Sequence, residues 1–154
     1  MGYRSRNYVY YQPNDLDLKD EFYDDPIRAL TKLLDMSWVE VFDELVPIAR
    51  KMQCSPLEKC CYERYLYESG FVYKGISNKK GSTRPSVESF ARNNRHGKYL
   101  LNLANHCVAV VDGKHYNIWD AGQKSLYGVW ASKEDIEHMN SRCNPVEKYE
   151  ALVH

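Results

Sequence analysis

One predicted β-hairpin places a histidine and an asparagine where they could act together in nucleophilic catalysis. His106 opens the apolar run 105–111, and Asn117 lies in the returning run 114–120. The two residues between these runs, Asp112-Gly113, are a strong signal for a two-residue turn. With that turn, Asn117 becomes the diagonal neighbour of His106, about 7–8 Å away. A histidine held by an asparagine supplies the base and the orienting group of a catalytic triad.

The length of the turn decides which side chain lies beside His106. In the two-residue turn, Trp119 lies opposite His106 and Asn117 is within reach. A three-residue turn over 112–114 would shift the pairing by one position and add a bulge, so that Asp120 would face His106. We favour Asn117 as the orienting residue and keep Asp120 as the alternative.

The nucleophile that would complete a triad is not evident among the five cysteines, which are Cys54, Cys60, Cys61, Cys107 and Cys143. Cys107 follows His106 directly, so strand alternation turns it to the opposite face. Cys54 falls in a turn between helices.

The cysteines also do not indicate a metal site, because the adjacent pair Cys60-Cys61 lacks the two-residue gap of common zinc sites. We therefore expect no metal site and no cofactor.

Composition excludes some classes of partner. The 154 residues carry 21 basic and 21 acidic side chains. This balance gives no overall attraction to nucleic acid or to an acidic membrane. No secretory leader and no long apolar stretch is evident, and the cysteines lack disulfide-scaffold spacing. We expect a cytoplasmic protein that forms one domain over 1–154, with an N-terminal extension over 1–22 and a mobile tail over 145–154.

The predicted elements place helices first and an antiparallel sheet second. Helix signals are Asp25 as N-cap followed by Pro26, and capping boxes at Ser37 and Ser55, the latter helix ending near Gly70. The remaining predictions are a short strand at 8–11, a loop over 74–86, a helix over 87–93, strands over 98–104 and 126–130, and a last helix capped by Ser132. This order predicts an α+β fold.

Four stretches of the chain resemble a group of small phage-encoded proteins that have the papain-like cysteine peptidase fold. These stretches are 24–32, 41–45, 75–81 and 105–120, and the resemblance covers roughly residues 8–130. It implies a papain-like fold with a helical first half followed by an antiparallel sheet.

The resemblance also implies roles for individual residues. In such proteins the nucleophilic cysteine begins the first long helix, where the positive end of the helix stabilises a thiolate. Asp25 stands at that position, whereas His106 matches the base and Asn117 matches the orienting residue. Aspartate is also a common N-cap, so a purely structural role of Asp25 remains open. A role as a general base would require a bound water molecule.

A papain-like protein without its cysteine is expected to work by binding. The resemblance implies a phage protein in the host cytoplasm that binds a host protein or a small ligand, with inhibition of host defence as the expected role. The cleft around Asp25, His106, Asn117 and Trp119 is the expected site. The alternatives are a hydrolase whose natural chain has cysteine at position 25 in a Cys-His-Asn triad, water-mediated hydrolysis, or an interaction module that pairs through its tyrosine-rich N-terminus.

A basic stretch over 74–98 offers a second possible binding surface. Its candidate residues are Lys79, Lys80, Arg84, Arg92 and Arg95. They could bind a phosphate-containing ligand or an acidic protein surface, and the simpler interpretation is a solvated loop and helix face.

Overall fold

The computed structural model describes residues 4–16, 23–76 and 83–139, and the backbone of 146–148. The helices in these ranges are α1 Asp25–Leu34, α2 Trp38–Met52, α3 Lys59–Glu68, α4 Val87–Asn93 and α5 Lys133–His138. The strands are β1 Tyr8–Tyr10, β2 Val72–Ile76, β3 Lys98–Leu103, β4 His106–Val111, β5 Lys114–Asn117, β6 Gly128–Ala131 and β7 Val146–Lys148. The expected α+β class is confirmed. In these ranges, no helix combines the length and the apolar character needed to cross a membrane.

The strands form one mixed sheet in the order β1-β5-β4-β3-β6-β2-β7. The pairs are antiparallel except for β1 and β5, which run parallel. The predicted edge strand near residue 8 is therefore present. It forms one edge of the sheet, where it pairs with a strand of its own chain. Because β1 pairs with β5, residues 8–10 are part of the fold rather than of an extension.

The β4–β5 hairpin has the two-residue turn that Asp112-Gly113 predicts. Val111 pairs with Lys114, and both turn residues have positive φ, 49° and 82°. Positive φ at both positions defines a type I′ turn, whose twist matches that of the flanking strands. The three-residue alternative is therefore wrong, and with it the position of Asp120 opposite His106.

Helices cover both faces of the sheet because alternate residues of each strand point to opposite sides. On β3, Leu100 belongs to the core under α1, α2 and α3, and Leu101 belongs to the core under α4. Trp130 on β6 joins the first core and Val110 on β4 joins the second. Trp130 is almost fully buried.

The start of α1 differs from the prediction by one residue. Asp24, not Asp25, is the N-cap, and Asp25 and Pro26 are the first two helical residues. The Asp24 carboxylate does not cap the helix. Instead it binds the buried guanidinium of Arg28 one turn later and accepts a hydrogen bond of 2.8 Å from the indole of Trp38. A buried cation is a stronger partner for a carboxylate than a backbone amide.

Other boundaries were predicted less well. The helix expected to start at Ser55 begins at Lys59, because Ser55 caps only a turn, in which its carbonyl accepts from Glu58 at 3.0 Å. Strand β2 was missed, since the loop prediction over 74–86 covers its second half. In the tail that was expected to be mobile, Val146–Lys148 pairs with β2. Residues 149–154 lie outside the described part of the chain.

Candidate functional site

Asp25 and His106 meet where α1 and β4 both begin. The carboxylate Oδ2 of Asp25 lies 3.7 Å from Nδ1 of His106, and their side chains are 17% and 39% exposed. The same Oδ2 accepts a hydrogen bond of 3.1 Å from the backbone N–H of Cys107. Asp25 is therefore fixed by the strand that carries the histidine, and the imidazole stays partly open to solvent.

The local sequence explains why these two residues meet. Helix α1 packs across β4. The β3–β4 turn is tight, since Leu103 pairs with His106 and Asn105 takes a left-handed conformation with φ 61°. Asparagine tolerates this conformation better than most residues. The turn thus ends β3 and starts β4 beside the first turn of α1.

The imidazole of His106 is positioned mainly by packing. Its ring lies edge-to-face with Trp119 at a centroid distance of 5.2 Å, as the predicted register requires. Its Nδ1 is buried and has no hydrogen-bond partner among the described residues, and 3.7 Å to Asp25 is too long for a hydrogen bond. Buried polar atoms are nearly always paired, so an unpaired one in a cleft indicates a place for a ligand or water.

Asn117 does not orient His106. Its side-chain oxygen accepts hydrogen bonds from the backbone of Ile118 at 2.8 Å and from the guanidinium of Arg28 at 3.2 Å. In the part of the chain that the structure describes, no hydrogen bond joins it to the imidazole. The hairpin register predicts the neighbourhood of Asn117 correctly, but a buried arginine on α1 takes its acceptor oxygen.

Asp120 is also occupied elsewhere. It accepts hydrogen bonds from the backbone and hydroxyl of Ser5 at 2.5 and 2.8 Å and from Gly122 at 2.9 Å. Burial raises the pKa of the Asp120 carboxyl, but these hydrogen bonds and the nearby His115 outweigh burial and lower the pKa. Asp120 therefore anchors the N-terminal segment.

Cys107 cannot supply the missing thiolate. Its sulfur is buried and lies 3.9 Å from Oδ2 of Asp25. Burial first, and then the Asp25 charge, raise the pKa of the Cys107 thiol well above its usual value. A thiol in this state is protonated at neutral pH and is a poor nucleophile. Cys143 lies outside the described residues.

Two clefts lie on either side of His106. The larger, about 420 Å³, is lined by Leu103, Ala104, Asn105, His106, Trp119, Lys124, Ser125 and Tyr127. The smaller, about 200 Å³, is lined by Asp25, Pro26, Leu57, Lys59, Tyr62, Leu103, Asn105 and His106. Among the described residues, no cysteine lines either cleft. Each cleft has one exposed lysine, Lys124 or Lys59, and sequence reasoning missed both because a single lysine carries no spacing signal.

The basic stretch does not form one surface. Arg84 lies over the ring of Tyr127 at 4.3 Å, next to the larger cleft. Arg95 lines a separate cleft of about 490 Å³ between the end of α4 and α5, and Arg92 is exposed on α4. Lys79 and Lys80 lie outside the described residues. Of the described candidates, Arg84 is the one that adds charge near His106.

Comparison with protein-family models, curated proteins and solved structures finds no match for this chain. The papain-like resemblance therefore stays a prediction.

Proposed function

We propose that this chain is a papain-like protein of phage type that has no peptidase activity and binds a segment of a host protein across His106. Its expected effect is to inhibit a host defence component in the host cytoplasm. The observation that carries the proposal is the pair Asp25 and His106, 3.7 Å apart. It has the arrangement expected of a cysteine–histidine pair, with a carboxylate in place of sulfur.

The chemistry of this pair argues against peptide cleavage. A carboxylate is a far weaker nucleophile than a thiolate, and its attack on an amide would have to expel a poor leaving group. The thiol next to it, Cys107, is held protonated. The residue expected to orient the base, Asn117, is bound to Arg28. Of the functions that a triad needs, only the base is in place.

The clefts favour a partner segment that is both apolar and acidic. Trp119 and Tyr127 offer aromatic surface in the larger cleft. Lys124 in that cleft, Lys59 in the smaller one and Arg84 above Tyr127 provide positive charge on both sides of the imidazole. An extended segment that lies over His106 could place an apolar side chain on Trp119 and acidic side chains beside the lysines.

A thiol-directed peptidase probe tests the absence of nucleophilic chemistry. We expect no labelling of the wild-type chain that depends on His106. Asp25→Cys is expected to gain labelling, and the further substitution His106→Ala is expected to remove that gain, because the thiolate would then lack its base. A His106-dependent adduct on the wild-type chain would overturn the proposal and favour an active hydrolase.

Matched variants test the binding site. Trp119→Ala and Lys124→Glu change the larger cleft, whereas Tyr67→Ala changes an exposed tyrosine on α3 and serves as the control. A partner captured from host lysate should bind the wild-type chain and the control with equal affinity. We expect each cleft variant to bind at least about tenfold more weakly, since loss of a central tryptophan typically costs about 2 kcal/mol or more and the charge reversal at Lys124 would repel an acidic segment. Equal affinity for all variants would place the interface elsewhere.

A further inference from the structure

The connection between α2 and α3 brings together three side chains that commonly bind metal ions. One ligand atom each from Cys54, Glu58 and Cys60 lies within 4.8 Å of the others. The Cys60 sulfur is 3.7 Å from Oε2 of Glu58. The spacing of these residues, three and then one intervening position, belongs to no common zinc motif. The cluster is therefore visible only in the folded chain.

Backbone geometry explains the convergence. Helix α2 ends at Met52, its C-cap Gln53 turns the chain with a left-handed φ of 56°, and the Cys54 N–H donates to the carbonyl of Ala49 at 3.0 Å. A second turn follows, in which the Glu58 N–H donates to the carbonyl of Ser55. These consecutive turns bring Cys54 back toward the first turn of α3, where Cys60 lies.

The three groups suit a soft divalent cation. Thiolate and carboxylate ligands bind Zn²⁺ at about 2.3 and 2.0–2.2 Å in tetrahedral geometry. Two sulfurs on one Zn²⁺ lie roughly 3.8 Å apart. Side-chain rotations that move the ligand atoms by about 1 Å would therefore bring this cluster to binding distance. Cys60 and Glu58 are exposed, so an ion can enter from solvent.

We propose that Cys54, Glu58 and Cys60 bind one Zn²⁺ ion, with the fourth position taken by water. The ion stabilises the α2–α3 connection. Leu57, in the middle of that connection, lines both the smaller cleft at His106 and an apolar cavity of about 480 Å³ beside Trp38. A metal ion here therefore fixes one wall of each. The metal proposal does not rest on the proposed binding function, because neither Asp25 nor His106 is a ligand.

Cobalt titration of the reduced, chelator-treated chain tests the site. Co²⁺ is expected to bind with one equivalent and to give a thiolate-to-cobalt charge-transfer band and the visible bands of tetrahedral cobalt. Zn²⁺ is expected to displace it. No such band from the wild-type chain would overturn the proposal.

Variants identify the ligands. Cys60→Ser changes an exposed residue and should leave the fold intact, as circular dichroism can confirm. We expect it to lose about half of the charge-transfer band and to bind Zn²⁺ at least about tenfold more weakly, with Cys54→Ser behaving alike. Glu58→Gln is expected to keep the band and to weaken binding.

Two control variants are matched to these ligands. Glu68→Gln removes an exposed carboxylate of the same helix, and Cys61→Ala removes a buried thiol that bonds to the carbonyl of Leu45. Both are expected to bind cobalt as the wild type does. A band that persists unchanged in Cys54→Ser and Cys60→Ser, or that disappears in Cys61→Ala, would show that this ligand set is wrong.

Discussion

The side-chain oxygen of Asn117 lies 3.2 Å from the guanidinium of Arg28, which is itself paired with Asp24. Both partners of this ion pair are almost fully buried. The indole of Trp38 donates to the other oxygen of Asp24 at 2.8 Å. These contacts join the end of β5 to the starts of α1 and α2, so the asparagine expected at a catalytic site instead connects elements of the core.

Arg28→Met should destabilise the fold strongly. The substitution leaves the Asp24 carboxylate buried without its cation, and breaking a buried pair from one side typically costs about 3–5 kcal/mol. Chemical denaturation measures the change in the free energy of unfolding. The control is Arg64→Met, which removes the partly exposed pair with Glu68 and should cost less than about 1 kcal/mol. Equal losses of unfolding free energy in the two variants would show that the buried pair stabilises the fold no more than the partly exposed pair does.

Asp120→Asn should reduce stability in a pH-dependent way. The pKa of Asp120 is lowered in the folded state. Its contribution is therefore present above the unfolded value of about 3.9 and is lost as pH falls through the lower folded value. At pH 7 we expect a loss of about 1.5 kcal/mol, in line with hydrogen bonds to a charged acceptor.

Thermal or urea unfolding of wild type and Asp120→Asn between pH 7 and pH 2 measures this effect. The difference between the two proteins should narrow as the medium becomes acidic. Asp43→Asn removes an exposed carboxylate and controls for net charge. A difference that stays constant over the whole range would contradict the assigned role of Asp120.

Glu63→Leu should lower the free energy of unfolding, because it leaves two buried hydrogen-bond donors unpaired. Oε2 of Glu63 accepts from the amide of Asn102 at 3.1 Å and from the indole of Trp130 at 2.8 Å. Leucine leaves both donors unsatisfied, at about 1–3 kcal/mol each. Glu63→Gln keeps an acceptor of the same shape, so it should lose less in equilibrium unfolding. If glutamine proved as harmful as leucine, the negative charge rather than the hydrogen bonds would be the stabilising feature.

Gly113→Ala should weaken the hairpin that presents His106. Gly113 has φ +82°, and an added Cβ would lie 3.2 Å from Cα of Arg95. Left-handed backbone costs an alanine about 1–2 kcal/mol, and the close approach adds to it. Gly70→Ala is the matched control, because Gly70 has φ +90° and nothing within 4 Å of the added Cβ. The free energy of unfolding should fall further for Gly113→Ala than for Gly70→Ala. Equal losses would mean that the close approach to the Arg95 backbone does not destabilise the fold.

Local signals were sufficient for the hairpin and for two of the helix starts, whereas the approach of α1 to His106 was expected only from the papain-like resemblance. The Asp112-Gly113 turn determines its own register, and Ser37 and Ser132 each cap a helix through the side chain, as predicted. Such features depend on residues close in sequence, so they can be predicted from sequence alone.

Long-range contacts account for what was missed. The engagement of Asn117 by Arg28 depends on residues 89 positions apart, and no local pattern encodes it. Strand β2 was missed because Lys74 and Gly75 interrupt its apolar character. The cluster of Cys54, Glu58 and Cys60 depends on two successive turns rather than on a regular spacing.

The parallel pairing of β1 with β5 joins two segments that are synthesised at widely separated times. Tyr8 donates to the carbonyl of Asn117, 109 residues later, so the first strand emerges on the order of ten seconds before its neighbour does. Until then Tyr8–Tyr10 has no partner in the sheet, and the outer edge of β5 has none until the N-terminus reaches it. A fusion attached ahead of residue 8 must therefore leave that segment free to return, and a shortened N-terminus would leave β5 as an uncovered edge on which chains could associate.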